Sequence, residues 1–459
     1  MQRPAPELMQ GSLSGSIPES LQYGAESSPG LSGVRSMRNF AAENPGTFSP
    51  ANNTIRIPVS ASSFLDMQRA RLSFDFTNTS ASTAQILDGS AACIIQRLRV
   101  LSVTGAELER MESYNLLSAV LQQYQASEED ARELAISGGG PSSIVAVSGF
   151  NGLSCDRTAT GITRHYEIKL HAGWFNPTLG KMLPPNVSFV LELTLAAAAS
   201  CLMCTGTTPA AANYTIANVS LKIPSVRIDD ASFMQRAAML QQRGYSFPAV
   251  TYKLYTAATS ASAGSSSMQI SDRSHSLTAL IAVMRGQSRV NSNADFKLCK
   301  RTLQYVSNYQ FIIGSELYPP QQVELSTDLT PAGTATLLQF IVDATANLNV
   351  SAAYNQVKQV FPGPSVVDLN SFSNSENILN NGIGVLAVDC RGYHSDKRTH
   401  SGIDTASQAV PITFNFNKTA AAVLAAATPT ASTFIQVDVF AQCDVVFMMM
   451  PGGEMRAML

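Results

Sequence analysis

In the stretch RLSFDFTN, Leu72, Phe74 and Phe76 alternate with Ser73, Asp75 and Thr77. Successive side chains of a strand point to opposite faces, so this strict period of two requires a strand with one buried and one wet face. The same pattern returns in Tyr166, Ile168 and Leu170, in Phe189, Leu191, Leu193 and Leu195, and in Val219, Leu221 and Ile223. Short alternating strands broken by turn residues indicate an antiparallel β-sandwich.

The pattern occurs twice. In the rear half, LQYVSNYQFIIG, GIGVLAVDC, PITFNFN and TFIQVDVFAQCDVVF repeat the order of strands, and each half also carries one stretch with helical spacing. The first is ELERMESYNLLSAVLQQYQ, with Leu108, Met111, Leu117, Val120, Leu121 and Tyr124 on one stripe and Thr104 and Glu107 placed as a capping box. The second is TATLLQFIVDATANL. A doubled domain is the economical explanation, and 459 residues suit two domains of roughly 200 residues each. The expected fold is all-β: two tandem eight-stranded antiparallel jelly rolls with short helical insertions and a helical connector.

The boundaries follow composition. Residues 1–53 are rich in Pro, Gly and Ser and read as a flexible N-terminal arm, with Leu8, Leu13, Ile17, Leu21, Tyr23 and Phe40 spaced to dock on a neighbour. Residues 54–228 form the first jelly roll, 229–246 a helical connector capped by Asp229 or Asp230, 247–450 the second jelly roll, and 451–459 a tail. Pro319 and Pro320 interrupt an otherwise strand-like run, so the chain is expected to leave its sheet there and turn at one rim of the roll.

Composition limits the function classes. The formal charge is -2 and only 14% of residues are charged, which gives no overall field for gripping nucleic acid or anionic lipid. A surface of small neutral side chains suits packing against copies of the same chain. No run approaches the roughly 18–20 apolar residues of a membrane-crossing helix, and the start lacks a secretory pattern. Synthesis in the cytosol and seven reduced, buried cysteines are expected.

Candidates for chemistry are few. DCRGYHSDKRTHSGID, residues 389–404, offers His394, Asp396, His400 and Asp404, but Arg391, Lys397 and Arg398 make it equally a salt-bridged loop. His165 and His171 flank one strand, and no helical His pair exists. Cys201 and Cys204 have the spacing of half a zinc site with no second half. Three basic pairs or triplets, Arg69 with Arg71, Arg97 with Arg99, and Lys297 with Lys300 and Arg301, lack interleaved exposed aromatics, so direct nucleic-acid contact is not expected. No catalytic, cofactor-binding or metal-binding residue is assigned, and the chain reads as a non-enzyme without cofactors.

The runs IIQRLRVLSVTGAELERMESYNLL, NYQFIIGSELYPPQQVELS, SGIDT and TFIQVDVFAQCDVVF resemble, in order and loose motif, the double jelly-roll major capsid proteins of small eukaryotic double-stranded DNA viruses, of the polinton-like, adintovirus and virophage kind. The resemblance spans roughly residues 54–450. It implies a major capsid protein whose homotrimers form pseudo-hexagonal capsomers that tile an icosahedral virion, with penton and minor capsid proteins as further partners and an internal membrane compatible with the arrangement. Two other readings are a penton or minor capsid protein and a cellular carbohydrate-binding or hydrolytic β-sandwich.

Overall fold

The computed structural model describes, apart from single positions and short turns, residues 33–124, 157–228, 244–324, 385–392, 402–418 and 434–458, with a few residues between. Sixteen main strands carry the architecture. The front half contributes β1 (Gly33–Ala41), β2 (Thr54–Ser60), β3 (Arg71–Asn78), β4 (Ile95–Ser102), β5 (Glu107–Glu112), β6 (Thr163–Lys169), β7 (Ser188–Leu195) and β8 (Tyr214–Ile228). The rear half contributes β9 (Tyr245–Ser260), β10 (Ser265–Ile270), β11 (Leu277–Gly286), β12 (Val306–Ile313), β13 (Glu316–Glu324), β14 (Leu386–Asp389), β15 (Ile412–Lys418) and β16 (Phe434–Met449).

The front strands form two antiparallel sheets in the orders β1-β8-β3-β6 and β2-β7-β4-β5. The rear strands form β9-β16-β11-β14 and β10-β15-β12-β13. Each rear strand stands where the front strand eight places earlier stands, so the halves share one topology. Strands one, eight, three and six facing strands two, seven, four and five is the arrangement of a jelly roll, with consecutive strands sent to alternate sheets except at the hairpin of strands four and five.

Alternation builds each core. Positions along β2 and β7 alternate between buried and less buried throughout. Leu72, Phe74, Phe76, Tyr166, Ile168, Leu191 and Leu193 pack inside the front roll, where Phe76 stacks on Tyr214 at 5.5 Å. In the rear roll Phe311 and Phe414 stack at 4.5 Å, with Phe416 and Tyr309 against them. β11 differs, since all ten of its residues are buried; both of its faces are covered, in keeping with its unbroken apolar run.

Four sequence expectations change. Within the expected arm, Gly33–Ala41 is strand β1, paired along its whole length with β8, and Phe48 bridges Ile216. The partner strand supplies the order that the polar sequence of β1 does not announce. The helix over 104–125 shrinks to α1, Tyr114–Tyr124. Glu107–Glu112 is β5 instead, because its acids reach across to β4, Glu107 to Arg99 at 2.8 Å and Glu112 to Arg97 at 4.0 Å. Leu108 and Met111 satisfy either period, and cross-strand pairing decides between them.

The prolines also behave differently. The ladder does break at Pro319 and Pro320, since Tyr318 pairs with Phe311 and the next pair is Val323 with Tyr309. The chain nevertheless rejoins the same sheet after bulging opposite Gln310, whose side chain donates to the Pro319 carbonyl at 3.0 Å. An edge strand needs ladder bonds on one side only, so it absorbs two residues without N–H groups. Finally, β9 begins at Tyr245, inside the expected connector, and Met455–Met458 of the expected tail pairs with the end of β16. The connector over 229–243 and the second helix lie almost wholly outside the described residues.

Phe414→Ala, which empties the centre of the rear aromatic stack, is expected to cost about 3–5 kcal/mol. Denaturant unfolding of wild type and variant measures it.

Candidate functional site at the junction of the two rolls

The polar groups most deeply involved in joining the halves lie where edge strand β5 of the front roll meets edge strand β9 of the rear roll. Their sheets share no backbone ladder, so side chains must make the joint. Glu109 on β5 is buried. Its carboxylate accepts from the Gly173 and Trp174 backbone N–H groups at 2.8 and 2.9 Å and from the Thr251 hydroxyl of β9 at 2.8 Å. Burial pushes the Glu109 carboxyl above its ordinary range, and the three donors oppose that rise.

Trp174, the chain's single tryptophan, fills the joint beside this carboxylate. Its ring centroid lies 5.3 Å from Phe189 of the front roll, and 5.3 and 5.0 Å from Phe247 and Phe447 of the rear roll. Gly173 admits the close approach: a Cβ there would stand 2.6 Å from the Val250 carbonyl oxygen. Any side chain at residue 173 pushes the rolls apart.

A second clasp lies near the start of β4. Buried Asp88 accepts the backbone N–H groups of Lys297, Leu298 and Cys299 at 2.7, 2.8 and 3.0 Å. The Lys297 ammonium returns the grip, donating to the Leu202 and Ser292 carbonyls at 2.9 and 2.7 Å. Burial pulls this lysine below its ordinary range, while the Asp88 charge resists. The Cys204 N–H donates to the Asn293 carbonyl at 2.8 Å. Residues singled out in sequence as a basic cluster and a CLMC motif therefore meet in a buried joint.

The remaining candidates take structural places. Cys201 and Cys204 are buried free thiols, and among the described residues no group of three or more His, Cys, Asp and Glu is placed to hold a metal. His394, Asp396, Lys397, Arg398, His400, Lys300 and Arg301 lie outside the described residues. Arg391 folds back on Asp389 at 2.9 Å, and Asp404 lies 3.6 Å from His275. Arg69, Arg71, Arg97 and Arg99 each face an acid, Asp66, Glu133, Glu112 and Glu107 respectively. The SGIDT stretch is pinned by Thr405, whose hydroxyl donates to buried Asp272 at 3.1 Å alongside the hydroxyls of Ser274 and Tyr255. The Tyr114 hydroxyl accepts the His171 N–H at 2.8 Å.

One arrangement escaped the sequence reading. Ser73 Oγ lies 3.1 Å from His165 Nε2, and His165 Nδ1 lies 2.7 Å from Asp75 Oδ1, the order of a hydrolytic relay. Chemistry does not follow. Ser73 is 2% exposed and sits mid-strand between ladders to β6 and β8, which consume the N–H groups an oxyanion would need. The group instead ties three strands together, with Asn218 donating to Asp75 at 2.7 Å and Lys222 paired to Glu167.

No protein-family profile and no curated protein matches the chain. Solved structures do. The capsid of the virus PBCV-1 aligns at TM-score 0.59 and 11% identity, over 95% of this chain and 98% of that one. The mavirus major capsid protein aligns at 0.56 and 12%, over 100% and 95%, and the Faustovirus major capsid protein at 0.54 and 10%, over 97% and 95%. The chain is a double jelly roll. The similarity covers nearly the whole chain and so runs through both rolls of this double jelly roll.

Glu109→Gln is expected to cost about 1–3 kcal/mol, because the amide turns a donor toward an N–H that then stays buried without an acceptor. Gly173→Val is expected to separate the rolls, seen as a chain whose halves unfold in two transitions. Hydrogen bonds from Asn218 and then His165 hold the Asp75 carboxyl below its usual range, and Lys222 does the same for Glu167. Such carboxylates contribute stability above about pH 4 that is lost as they protonate on further acidification. Wild type should therefore lose stability as the pH falls below about 4, and Asp75→Asn with Glu167→Gln should flatten that fall in pH-dependent denaturation.

Proposed function

We propose that the chain is a major capsid protein: three copies associate into a six-cornered capsomer, and capsomers tile an icosahedral shell. The observation that carries this reading is the buried seam at Glu109 and Trp174, which fixes two jelly rolls side by side as one rigid tile component. Three such components supply six rolls, and the likeness to viral major capsid folds supports the same reading.

The mechanism is association, with no bond made or broken. Each contact between copies is modest, but closure multiplies them, and head-to-tail contacts are what permit a ring. On this reading the partners are other capsomers at the tile edges, with distinct penton and minor proteins proposed where flat tiling must close. The site of action is the virion, after synthesis in the host cytoplasm.

Two rival readings are weaker. A penton or minor capsid protein needs only one jelly roll, whereas both halves here carry the complete order of eight strands. A carbohydrate-binding or hydrolytic sandwich needs exposed aromatics in a cleft, yet Trp174 is 2% exposed inside the seam.

Electron microscopy and mass photometry of the purified chain test the proposal. Particles at three times the 48.9 kDa chain mass with six-cornered outlines are expected. Persistent monomers at every concentration would overturn it.

A further inference from the structure

The intrachain seam joins strand five of one roll to strand one of the next, β5 to β9, each an end strand of its sheet. The same two kinds of edge occur a second time as end strands without a further ladder partner among the described residues. In the front roll, strand one is β1, paired only with β8 among the described residues. All its residues are exposed except Phe40, which is half-buried. In the rear roll, strand five is β13, another end strand, with Glu316, Leu317 and Glu324 exposed.

The two bare edges are complementary. β1 carries Arg35 and Arg38 and no acid, while β13 carries Glu316 and Glu324 and no base. Among the described residues none of the four has an oppositely charged partner; Arg38 reaches the Ser62 hydroxyl at 3.2 Å and Glu316 accepts from the Tyr318 hydroxyl at 2.9 Å. Arg35 and Arg38 are three residues apart and so lie on opposite faces of β1. Glu316 and Glu324 stand opposite Ile313 and Asn308, five residues apart on β12, and so also lie on opposite faces. An edge-on approach then places one Arg–Glu pair on each side of the contact. The spacings along the strands, about 10 Å for the arginines and about 16 Å for the glutamates, differ by an amount that long flexible arginines span. Val34 and Met37 are 56% and 62% exposed on β1 and Leu317 is 45% exposed on β13, which gives the contact an apolar centre.

We infer that β1 of one copy docks edge-on against β13 of a second copy, repeating between chains the joint that β9 and β5 make within one. This inference rests on the capsomer reading and names the surface that builds it. The contact is head to tail, so it closes into a ring when the repeated turn between rolls adds to a full circle. Side chains rather than a ladder make it, as in the seam, because Pro319 and Pro320 leave β13 without two N–H donors and break its ladder.

Charge reversal tests the pairing on the full chain. Arg35→Glu with Arg38→Glu, and separately Glu316→Arg with Glu324→Arg, should each raise the concentration of half-dissociation at least tenfold in mass photometry. A chain carrying all four changes should recover trimers, whereas an equimolar mixture of the two variants should recover dimers only, because any ring of three built from both keeps one like-charged contact. All four positions are exposed, and an unchanged thermal midpoint confirms that the variants fold. If wild type forms trimers and either variant matches it, or if reversing all four charges gives no recovery, the docking surface is wrong while the capsomer stands. If wild type itself never associates, the capsomer reading fails and this inference falls with it.

Discussion

A buried carboxylate between two sheet edges governs this molecule. Edge strands ordinarily meet through backbone hydrogen bonds, which would merge the two sheets into one continuous surface. At the seam, Glu109 offers its oxygens to two backbone N–H groups of its own roll and to one hydroxyl of the other. Satisfying a buried charge demands this geometry closely, because every lost donor leaves a desolvated oxygen. The apolar ring contacts around Trp174 supply area, and the carboxylate supplies the angle. Asp88 and Lys297 form a second fixed point, so rotation about the first is blocked as well.

The duplicated topology hides a difference between the halves. In the front roll the outer face of the β8-β3-β6 sheet carries the Asp75, His165, Glu167 and Lys222 network, partly open to solvent. In the rear roll β11 is covered on both sides, and its Arg285 meets Asp438 in a buried pair at 2.5 Å. Two copies of one fold thus present unlike outer faces. A ring alternating such rolls has threefold rather than sixfold chemistry, whatever its outline.

Much of this was legible in the sequence, and the exceptions have physical causes. Strands such as β3, β7 and β15 declared themselves because one face is wet and the other dry. β1 did not, since a strand that buries almost nothing leaves no apolar period, and its order comes from its partner β8. Glu107–Glu112 was misread as helix because Leu108 and Met111 fit both periods, and only the cross-strand arginines separate them. The prolines were correctly read as breaking a ladder and wrongly read as an exit, since sequence does not say which strands are edges. The seam was the least visible feature. Glu109, Gly173 and Thr251 are far apart in the chain and ordinary in type, and nothing local marks a glycine whose hydrogen faces a carbonyl 77 residues later. Lys297 could have been noticed as a cation beside apolar Leu298 and Cys299, which hints at burial without naming a partner.

The bulge in β13 has a wider meaning. A flat sheet margin invites any extended peptide to add itself. By looping out opposite Gln310, β13 withdraws the template on which a ribbon of stacked chains could grow. The same two residues that looked like an exit act as a stop against polymerisation, leaving a margin that can be read only by side chains.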